Sequence, residues 1–236
     1  MKYMGSKNRI AKDILPIILK DIGSFQYYVE PFVGGANMID KVDGYRIGAD
    51  SNKYLIALLK EMQKDDFEAP IITEEKYRDI KLNRNDYSMW IVGFAGFQLS
   101  YGAMWFTSYR KDSIGKRNYA LEAKNNIDKQ AGKVKGIDFI CCDYFDLSIP
   151  PNSIIYCDPP YKNTATYTEN KDDFNHDKFW GWCREMTRRG NNVFISEYNA
   201  PDDFECIWQK EIVSSLTKNT GSKTGTEKLF VLKLNQ

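Results

Sequence analysis

Short apolar runs alternate with amphipathic helical patterns along this chain, and this alternation limits the fold more than any other feature of the sequence. Helical patterns occur at 10–19, 53–62 and 179–188. Seven runs have the length and composition of buried strands: 27–29, 45–49, 136–141, 153–157, 192–196, 206–213 and 229–234. Strands that alternate with helices form mostly parallel sheets with helices on both faces. We therefore predict an α/β fold with a sheet of this kind.

The last two predicted strands follow each other without an intervening helix. The segment between them, 217–226, is polar and contains Gly221 and Gly225. A short polar loop of this type joins antiparallel strands in a hairpin. We therefore expect one strand of the sheet to run against the others.

One connection is much longer than a strand crossover requires. About 87 residues separate the second predicted strand, which ends at Ala49, from the third, which begins at Gly136. A crossover needs only one helix and two short loops. The length predicts a mostly helical subdomain at 64–133, inserted into a main domain formed by 1–63 and 134–236.

The charge of the chain is unevenly distributed. The 33 basic and 32 acidic residues give a net charge of +1. Residues 71–135 contain 12 basic and 7 acidic side chains, so this segment carries +5 and the remainder carries −4. A positive insert on a negative body is typical of contact with nucleic-acid phosphates. We expect the basic run of this segment, 109–117, to be exposed, and a solvated charged loop is the alternative interpretation of it.

Several protein classes are disfavoured by composition. No apolar run approaches the ~20 residues that span a bilayer, and the first residues lack the apolar segment of a signal peptide. The five cysteines include no Cys-x-x-Cys pair, which favours reduced thiols in the cytosol. With His176 as the single histidine, no zinc site of usual spacing can be built, and we predict no metal.

A glycine pair follows the first predicted strand, in the segment from Val29 to Asn37. Glycines between a strand and a helix let a ligand approach the backbone closely. Sixteen residues beyond Gly34, the second strand ends at Asp50, where an acid can accept hydrogen bonds from both hydroxyls of a ribose. The spacing is not Gly-x-Gly-x-x-Gly, and a tight turn without a ligand is the alternative.

The run Asp158-Pro159-Pro160-Tyr161 follows the apolar strand at 153–157. In an open α/β sheet, ligands bind at the carboxyl ends of the strands. The two prolines stiffen the backbone and remove two N–H donors, which leaves the Asp158 carboxylate and the Pro159 carbonyl as acceptors. These acceptors, with the aromatic face of Tyr161, suit a planar group that carries an NH2, such as a nucleobase.

A third motif, Lys2-Tyr3-Met4-Gly5-Ser6-Lys7, directly precedes the first predicted helix. A lysine and an aromatic residue beside a glycine turn can bind an anionic group at a helix N-terminus.

The order and content of these motifs resemble the Dam-like, or D12 class, DNA adenine-N6 methyltransferases in the α arrangement, over nearly the whole chain. The resemblance implies a Rossmann-like methyltransferase sheet and S-adenosylmethionine as cofactor. The family's Lys-aromatic-x-Gly-Gly-Lys motif stands here with Ser6 for its second glycine, and its Pro-Phe-x-Gly-x-Gly loop ends here in Ala36. The implied cofactor-binding residues are Tyr3, Lys7, Pro31, Phe32, Gly34, Gly35, Ala36, Asp50, Asp143, Tyr144 and Asp158.

The resemblance also implies the chemistry. Asp158, Pro159, Pro160 and Tyr161 match the family's catalytic motif, and Ser100–Phe106 resembles the start of its target-recognition region. We expect methyl transfer to adenine N6 in a specific sequence of double-stranded DNA, with the base flipped out and stacked on Tyr161. The loop 162–168 is a candidate lid. The candidate DNA-contacting residues are Arg110, Lys111, Lys116 and Arg117 in the insert, with Lys218 and Lys223 in the hairpin loop.

The same resemblance implies a cytoplasmic enzyme of bacterial or phage origin and allows a restriction endonuclease as partner. Several alternatives stay open on the same core: an N4-cytosine or RNA methyltransferase, or a non-catalytic relative that binds nucleotides or DNA. A C5-cytosine enzyme is disfavoured because its cysteine nucleophile usually follows proline, and no Pro-Cys occurs here.

Overall fold

A seven-stranded sheet forms the centre of the protein in the computed structural model, which describes residues 1–112, 114–162, 174–213 and 224–233. The strand order is β3-β2-β1-β4-β5-β7-β6. The strands are β1 (Tyr27–Glu30), β2 (Tyr45–Asp50), β3 (Ile137–Cys141), β4 (Ile154–Cys157), β5 (Asn192–Ser196), β6 (Phe204–Val213) and β7 (Thr224–Leu232).

The pairing of the strands confirms the predicted fold class. Each pairing among β1 to β5 is parallel, whereas β7 runs antiparallel to both of its neighbours, β5 and β6. The order reverses between β1 and β4, and this reversal is the switch point at which doubly wound α/β sheets of the Rossmann type bind ligands.

The last strand begins earlier than the apolar pattern predicted. β7 starts at Thr224 and not at 229, because the backbone ladder with β6 extends to the pair Val213 and Thr224. Pairing of backbone groups, which needs no apolar side chains, therefore converts the end of the predicted loop into strand.

Helices cover both faces of the sheet, as predicted. Asn52 and Asn175 cap the second and last helices by accepting hydrogen bonds from backbone N–H groups of the first turn. Within the described residues, each helix is too short or too polar to cross a membrane. The helices are α1 (Ala11–Ile18), α2 (Lys53–Glu61), α3 (Glu74–Leu82), α4 (Met89–Gly93), α5 (Tyr119–Val134) and α6 (His176–Arg188).

Residues 64–133 contain the helices α3, α4 and most of α5, which pack in one buried cluster with the main sheet. Tyr77, Phe94 and Ile127 belong to the same buried cluster as side chains of α1, α2 and β1. A Cβ on Gly93 would approach the Tyr54 carbonyl oxygen to 2.2 Å, so only glycine allows α4 to lie this close to α2. A second cluster, around Phe179 of α6, fills the other face. The boundaries of the insert and its separate role remain a prediction.

The carboxyl ends of the parallel strands share one edge of the sheet. β1, β2, β4 and β5 end there at Glu30, Asp50, Cys157 and Ser196. Because β7 is antiparallel, its first residues reach the same edge. This edge carries the predicted functional motifs.

Candidate active site

The N-terminal turn brings a lysine into contact with the Asp158 motif. Residues 7–9 form a 3-10 turn that begins after Ser6, whose hydroxyl accepts a hydrogen bond from the backbone N–H of Asn8. The Lys7 side chain is only 6% exposed, and its Nζ lies 2.8 Å from Oδ1 of Asp158. The Lys7 ammonium also donates to the Gly5 carbonyl at 3.1 Å. The N-terminal motif and the Asp158 motif are therefore joined by an ion pair whose lysine is buried.

Tyr161 is enclosed by charged and aromatic neighbours. Its hydroxyl donates to Oε2 of Glu227 at 2.9 Å, and the Lys7 ammonium lies 4.6 Å from its ring centre. The ring of Tyr198 stands edge-on at 4.7 Å. Tyr161 is 8% exposed, whereas Tyr198 is 36% exposed. The predicted stacking of a flipped base on Tyr161 therefore requires its covering side chains to move, and it remains a prediction.

Two opposing influences set the ionisation of Asp158. Burial raises the pKa of its carboxyl, and the Lys7 ammonium lowers it through charge attraction and a hydrogen bond. The nearby Glu227 carboxylate raises the pKa further. Lys7 therefore favours the ionised carboxylate in a site where burial alone would favour the neutral acid.

Two glutamates of this edge were missed by sequence reasoning. Glu197, directly after β5, accepts hydrogen bonds from the backbone N–H groups of Tyr198 at 2.7 Å and Lys162 at 3.2 Å. It thereby ties the end of β5 to the segment after Tyr161. The position of Glu197 directly after a predicted strand could have identified it as a candidate site residue. Glu227 could be found only from the register of the β6–β7 hairpin.

The glycine loop and Asp50 lie together on the other side of the switch point. The N–H of Gly34 donates to Oδ2 of Asp50 at 3.2 Å, and the N–H of Asn52 donates to Oδ1 at 2.9 Å. Burial raises the pKa of Asp50 to about 6, although both backbone hydrogen bonds oppose the rise. Asp50 is therefore a half-buried carboxylate stabilised by backbone dipoles.

Tyr3 packs directly on the glycine pair. A Cβ on Gly34 would come within 2.8 Å of the Tyr3 ring, and one on Gly35 would come within 2.7 Å of the Tyr3 Cβ. Gly34 has φ of +45°, a conformation that favours glycine. Ala36, which replaces the family's second glycine, adopts a similar φ of 53°. The N-terminal motif and the loop thus form one structural unit, and the loop keeps a glycine-like turn with alanine.

The remaining predicted cofactor residues adjoin this unit. Phe32 contacts the ring of Tyr144 at 5.1 Å, and Pro31 is buried beneath the loop. Burial raises the pKa of the Tyr144 hydroxyl to about 12. Asp143 is exposed, and its Oδ1 accepts a hydrogen bond from the N–H of Phe145 at 2.9 Å. The structure brings the predicted residues to one edge, while their binding of a cofactor stays a prediction.

Three of the four predicted DNA-contacting residues of the insert, Arg110, Lys111 and Arg117, lie beside acidic side chains. Arg117 Nε is 2.8 Å from Glu122, and Lys111 Nζ is 3.1 Å from Glu74. Arg110 was expected to be exposed, but its side chain is 19% exposed because its guanidinium lies 3.8 Å from the centre of the Tyr119 ring. Lys116 is exposed. Lys218, Lys223 and the lid residues 163–168 lie outside the described residues, and DNA contact remains a prediction.

Comparison with known proteins identifies a family. The model of the D12 class N6 adenine-specific DNA methyltransferases matches residues 3–91 and 85–223. The Type II methyltransferase M.FokI of Planomicrobium okeanokoites is 24% identical over 216 residues, which cover 79% of this chain and 32% of that protein. The Type II methyltransferase M.MjaIII of Methanocaldococcus jannaschii is 25% identical over 254 residues, which cover 89% of this chain and 87% of that protein.

Solved structures show only remote likeness. One, described as a class I S-adenosylmethionine-dependent methyltransferase from Listeria monocytogenes, has a TM-score of 0.42 and 10% identity. The alignment covers 98% of this chain and 61% of that chain.

Proposed function

Because this chain belongs to the D12 class of N6 adenine-specific DNA methyltransferases, we propose that it methylates adenine N6 within a specific sequence of double-stranded DNA, with S-adenosylmethionine as the methyl donor. The family match confirms the predicted family. The single structural observation that carries the proposal is the Asp158 carboxylate, which lies at the carboxyl end of β4 and is paired with the Lys7 ammonium at 2.8 Å.

The residues around Asp50 fit an adenosyl group. When bound, S-adenosylmethionine supplies a methyl group that its sulfonium charge has already activated. Asp50 presents carboxylate oxygens at the switch point, where they can accept hydrogen bonds from ribose hydroxyls. Phe32, which is half-buried beside Tyr144, offers an aromatic surface near the exposed Asp143. These residues would hold the ribose and the adenine of the cofactor.

Asp158 and the Pro159 carbonyl would act on the target adenine. The N6 lone pair is delocalised into the ring, so N6 is a poor nucleophile. Hydrogen bonds from N6 to the two acceptors favour a pyramidal nitrogen with a localised lone pair, and Asp158 can accept the proton that N6 releases. No covalent bond to the enzyme forms, so positioning and electrostatics carry the catalysis.

Base flipping and target recognition belong to the same proposal. N6 is hidden in a duplex, so the adenine must leave the base stack at a cost of a few kcal/mol. The positive insert, 64–133, would hold the DNA through phosphate contacts. The Type II names of both relatives support a specific target sequence and a restriction endonuclease as partner. DNA as substrate supports a cytoplasmic enzyme of bacterial or phage origin, as the resemblance implies.

The test is to identify the modified base. The protein is incubated with S-adenosylmethionine carrying a labelled methyl group and with panels of double-stranded DNA and RNA, and the products are digested to nucleosides. We expect label in N6-methyladenine from DNA. Label in N4-methylcytosine, or label in RNA alone, would instead support one of the alternatives left open by the sequence.

A further inference from the structure

Glu227 lies outside every motif of the sequence, but its carboxylate contacts Tyr161 of the Asp158 motif and Lys7, the lysine that pairs with Asp158. Its Oε2 accepts the Tyr161 hydroxyl at 2.9 Å and lies 3.7 Å from the Lys7 ammonium. We infer that Glu227 is a positioning residue of the active site, which anchors Tyr161 and shares the Lys7 cation with Asp158. The inference deepens the proposed function and rests on it for its kinetic test.

The environment of this carboxylate makes its contacts strong. The Glu227 side chain is 18% exposed, and both of its partners, Lys7 and Tyr161, are buried. Hydrogen bonds to an ionised group are roughly twice as strong as neutral ones, and partial burial reduces the competition from water. Removing the carboxylate would leave the buried Tyr161 hydroxyl without this acceptor.

The hairpin register explains how β7 delivers Glu227 to this edge. Ser196, the last residue of β5, pairs with Leu229, so Glu227 extends two residues beyond the end of β5. On the other side, Glu227 pairs with Lys210 of β6. Since successive strand residues face opposite sides, the next pair, Glu211 with Thr226, points away from Glu227. Glu211 is exposed and therefore provides a matched carboxylate on the opposite face.

Glu227 also changes the charge balance around Asp158. The two carboxylates share the Lys7 ammonium between them. Within the described residues, the other titratable groups around Asp158 are Tyr156 and Cys157 of β4, Tyr161, Glu30 at the end of β1, and Glu197 and Tyr198 after β5. Loss of the Glu227 charge would remove the carboxylate that shares Lys7 with Asp158 and would lower the pKa of Asp158.

Three variants separate the anchoring role from the charge role. Glu227→Gln keeps an acceptor oxygen but removes the charge, Glu227→Ala removes both, and Glu211→Gln removes one carboxylate from the opposite face. The measurement is the single-turnover rate of methyl transfer against pH, with DNA and S-adenosylmethionine saturating. Thermal unfolding of each variant checks that it folds.

We expect the acidic limb of the Glu227→Gln profile to move to lower pH, because Asp158 stays ionised further into acid. Glu227→Ala should lower the plateau rate by about 10-fold to 100-fold, on the scale of a misplaced catalytic group. In a Tyr161→Phe background, Glu227→Ala should add little to the plateau loss, since the anchored hydroxyl is already absent. Glu211→Gln should leave both the profile and the plateau at the wild-type values.

The inference is overturned if Glu227→Ala keeps the wild-type plateau rate and pH profile. It is also overturned if the fold-losses in plateau rate of Glu227→Ala and Tyr161→Phe multiply fully in the double variant. Failure of the proposed function can be distinguished from failure of this inference, because in the first case the wild-type protein itself would transfer no methyl group to DNA. In that case the contact is still tested by thermal unfolding. Non-additive destabilisation by Glu227→Ala and Tyr161→Phe supports it, and additive destabilisation contradicts it.

Discussion

Two carboxylates at the same edge of the sheet are held in different ways. Asp158, on the β4 side of the switch point, pairs with a buried lysine at 2.8 Å. Asp50, on the β2 side, is held by the backbone N–H groups of Gly34 and Asn52. Burial raises the pKa of both carboxyl groups, and of the two only Asp158 has a neighbouring cation among the described residues.

This difference indicates a division of labour. In the proposed mechanism, the cation beside Asp158 would maintain a negative charge where a hydrogen-bonded amine must become more nucleophilic. In the same proposal, Asp50 would only accept hydrogen bonds from neutral hydroxyls, for which backbone dipoles suffice. We therefore expect the two sites to respond differently to mutation. Substitution of Asp158 should lower the rate of methyl transfer, and substitution of Asp50 should weaken cofactor binding.

The largest expected effect is on the rate. Asp158→Ala removes the strongest acceptor for the N6 hydrogens, and this interaction tightens in the transition state. The single-turnover rate of methyl transfer should fall by about 10²-fold or more. DNA binding, followed by a mobility-shift assay, should persist because it depends on phosphate contacts elsewhere. Asp138→Ala on β3, which removes an exposed carboxylate, is the control and should keep the full rate.

The second effect is on cofactor affinity. Asp50→Ala leaves ribose hydroxyls without their acceptor and should cost about 1–3 kcal/mol of S-adenosylmethionine binding. Isothermal titration calorimetry would measure this loss. At saturating cofactor, the variant should transfer methyl groups at nearly the wild-type rate. An unchanged affinity would remove Asp50 from the cofactor site.

The third effect is a pH dependence. Because the pKa of Asp50 is raised to about 6, its carboxylate is ionised at neutral pH and becomes protonated as the pH falls through that value. The affinity for S-adenosylmethionine should therefore decrease as the pH is lowered from 7 toward 5, as measured by calorimetry. The same titration of Asp50→Asn, which cannot ionise, should lack this step. If the affinity changed with pH by the same amount in both proteins, the change would have to come from the titration of a group other than Asp50.

The smallest effect concerns DNA. Arg117→Ala and Lys116→Ala should each reduce the slope of log affinity against log salt by about one counterion. Arg117 must exchange its 2.8 Å ion pair with Glu122 for a phosphate, so its contribution to affinity should be the weaker of the two. Arg188→Ala on α6, at the opposite face of the sheet, is the control. If the salt slopes of Arg117→Ala and Lys116→Ala equalled the slope of Arg188→Ala, the insert would be excluded as a DNA-binding surface.

The fold and the location of the site were predictable because local patterns determine them. Apolar runs gave the parallel strands, and the polar loop before β7 indicated the hairpin. Gly34 and Asp50 were both placed at this edge from the sequence, and the structure adds a hydrogen bond between them that was not predicted. Residues that follow parallel strands must meet at the carboxyl edge, so sequence position alone predicted that these motifs lie together.

Contacts between side chains that lie far apart in the sequence were not predictable. Lys7 was assigned to the cofactor, but the structure places its ammonium on Asp158, which is 151 residues away in sequence. Glu227 depends on a hairpin register that no local pattern specifies. The half-burial of Arg110 follows from its packing on Tyr119. In each case, a tertiary contact decides what the side chain can do.

The most direct test of the division of labour is to measure two quantities on the same preparations of Asp158→Ala and Asp50→Ala. These are the calorimetric affinity for S-adenosylmethionine and the single-turnover rate of adenine N6 methylation at saturating cofactor. We predict a crossed result, in which Asp158→Ala loses mainly rate and Asp50→Ala loses mainly affinity. Methylation by Asp158→Ala at the wild-type rate would contradict the proposed mechanism.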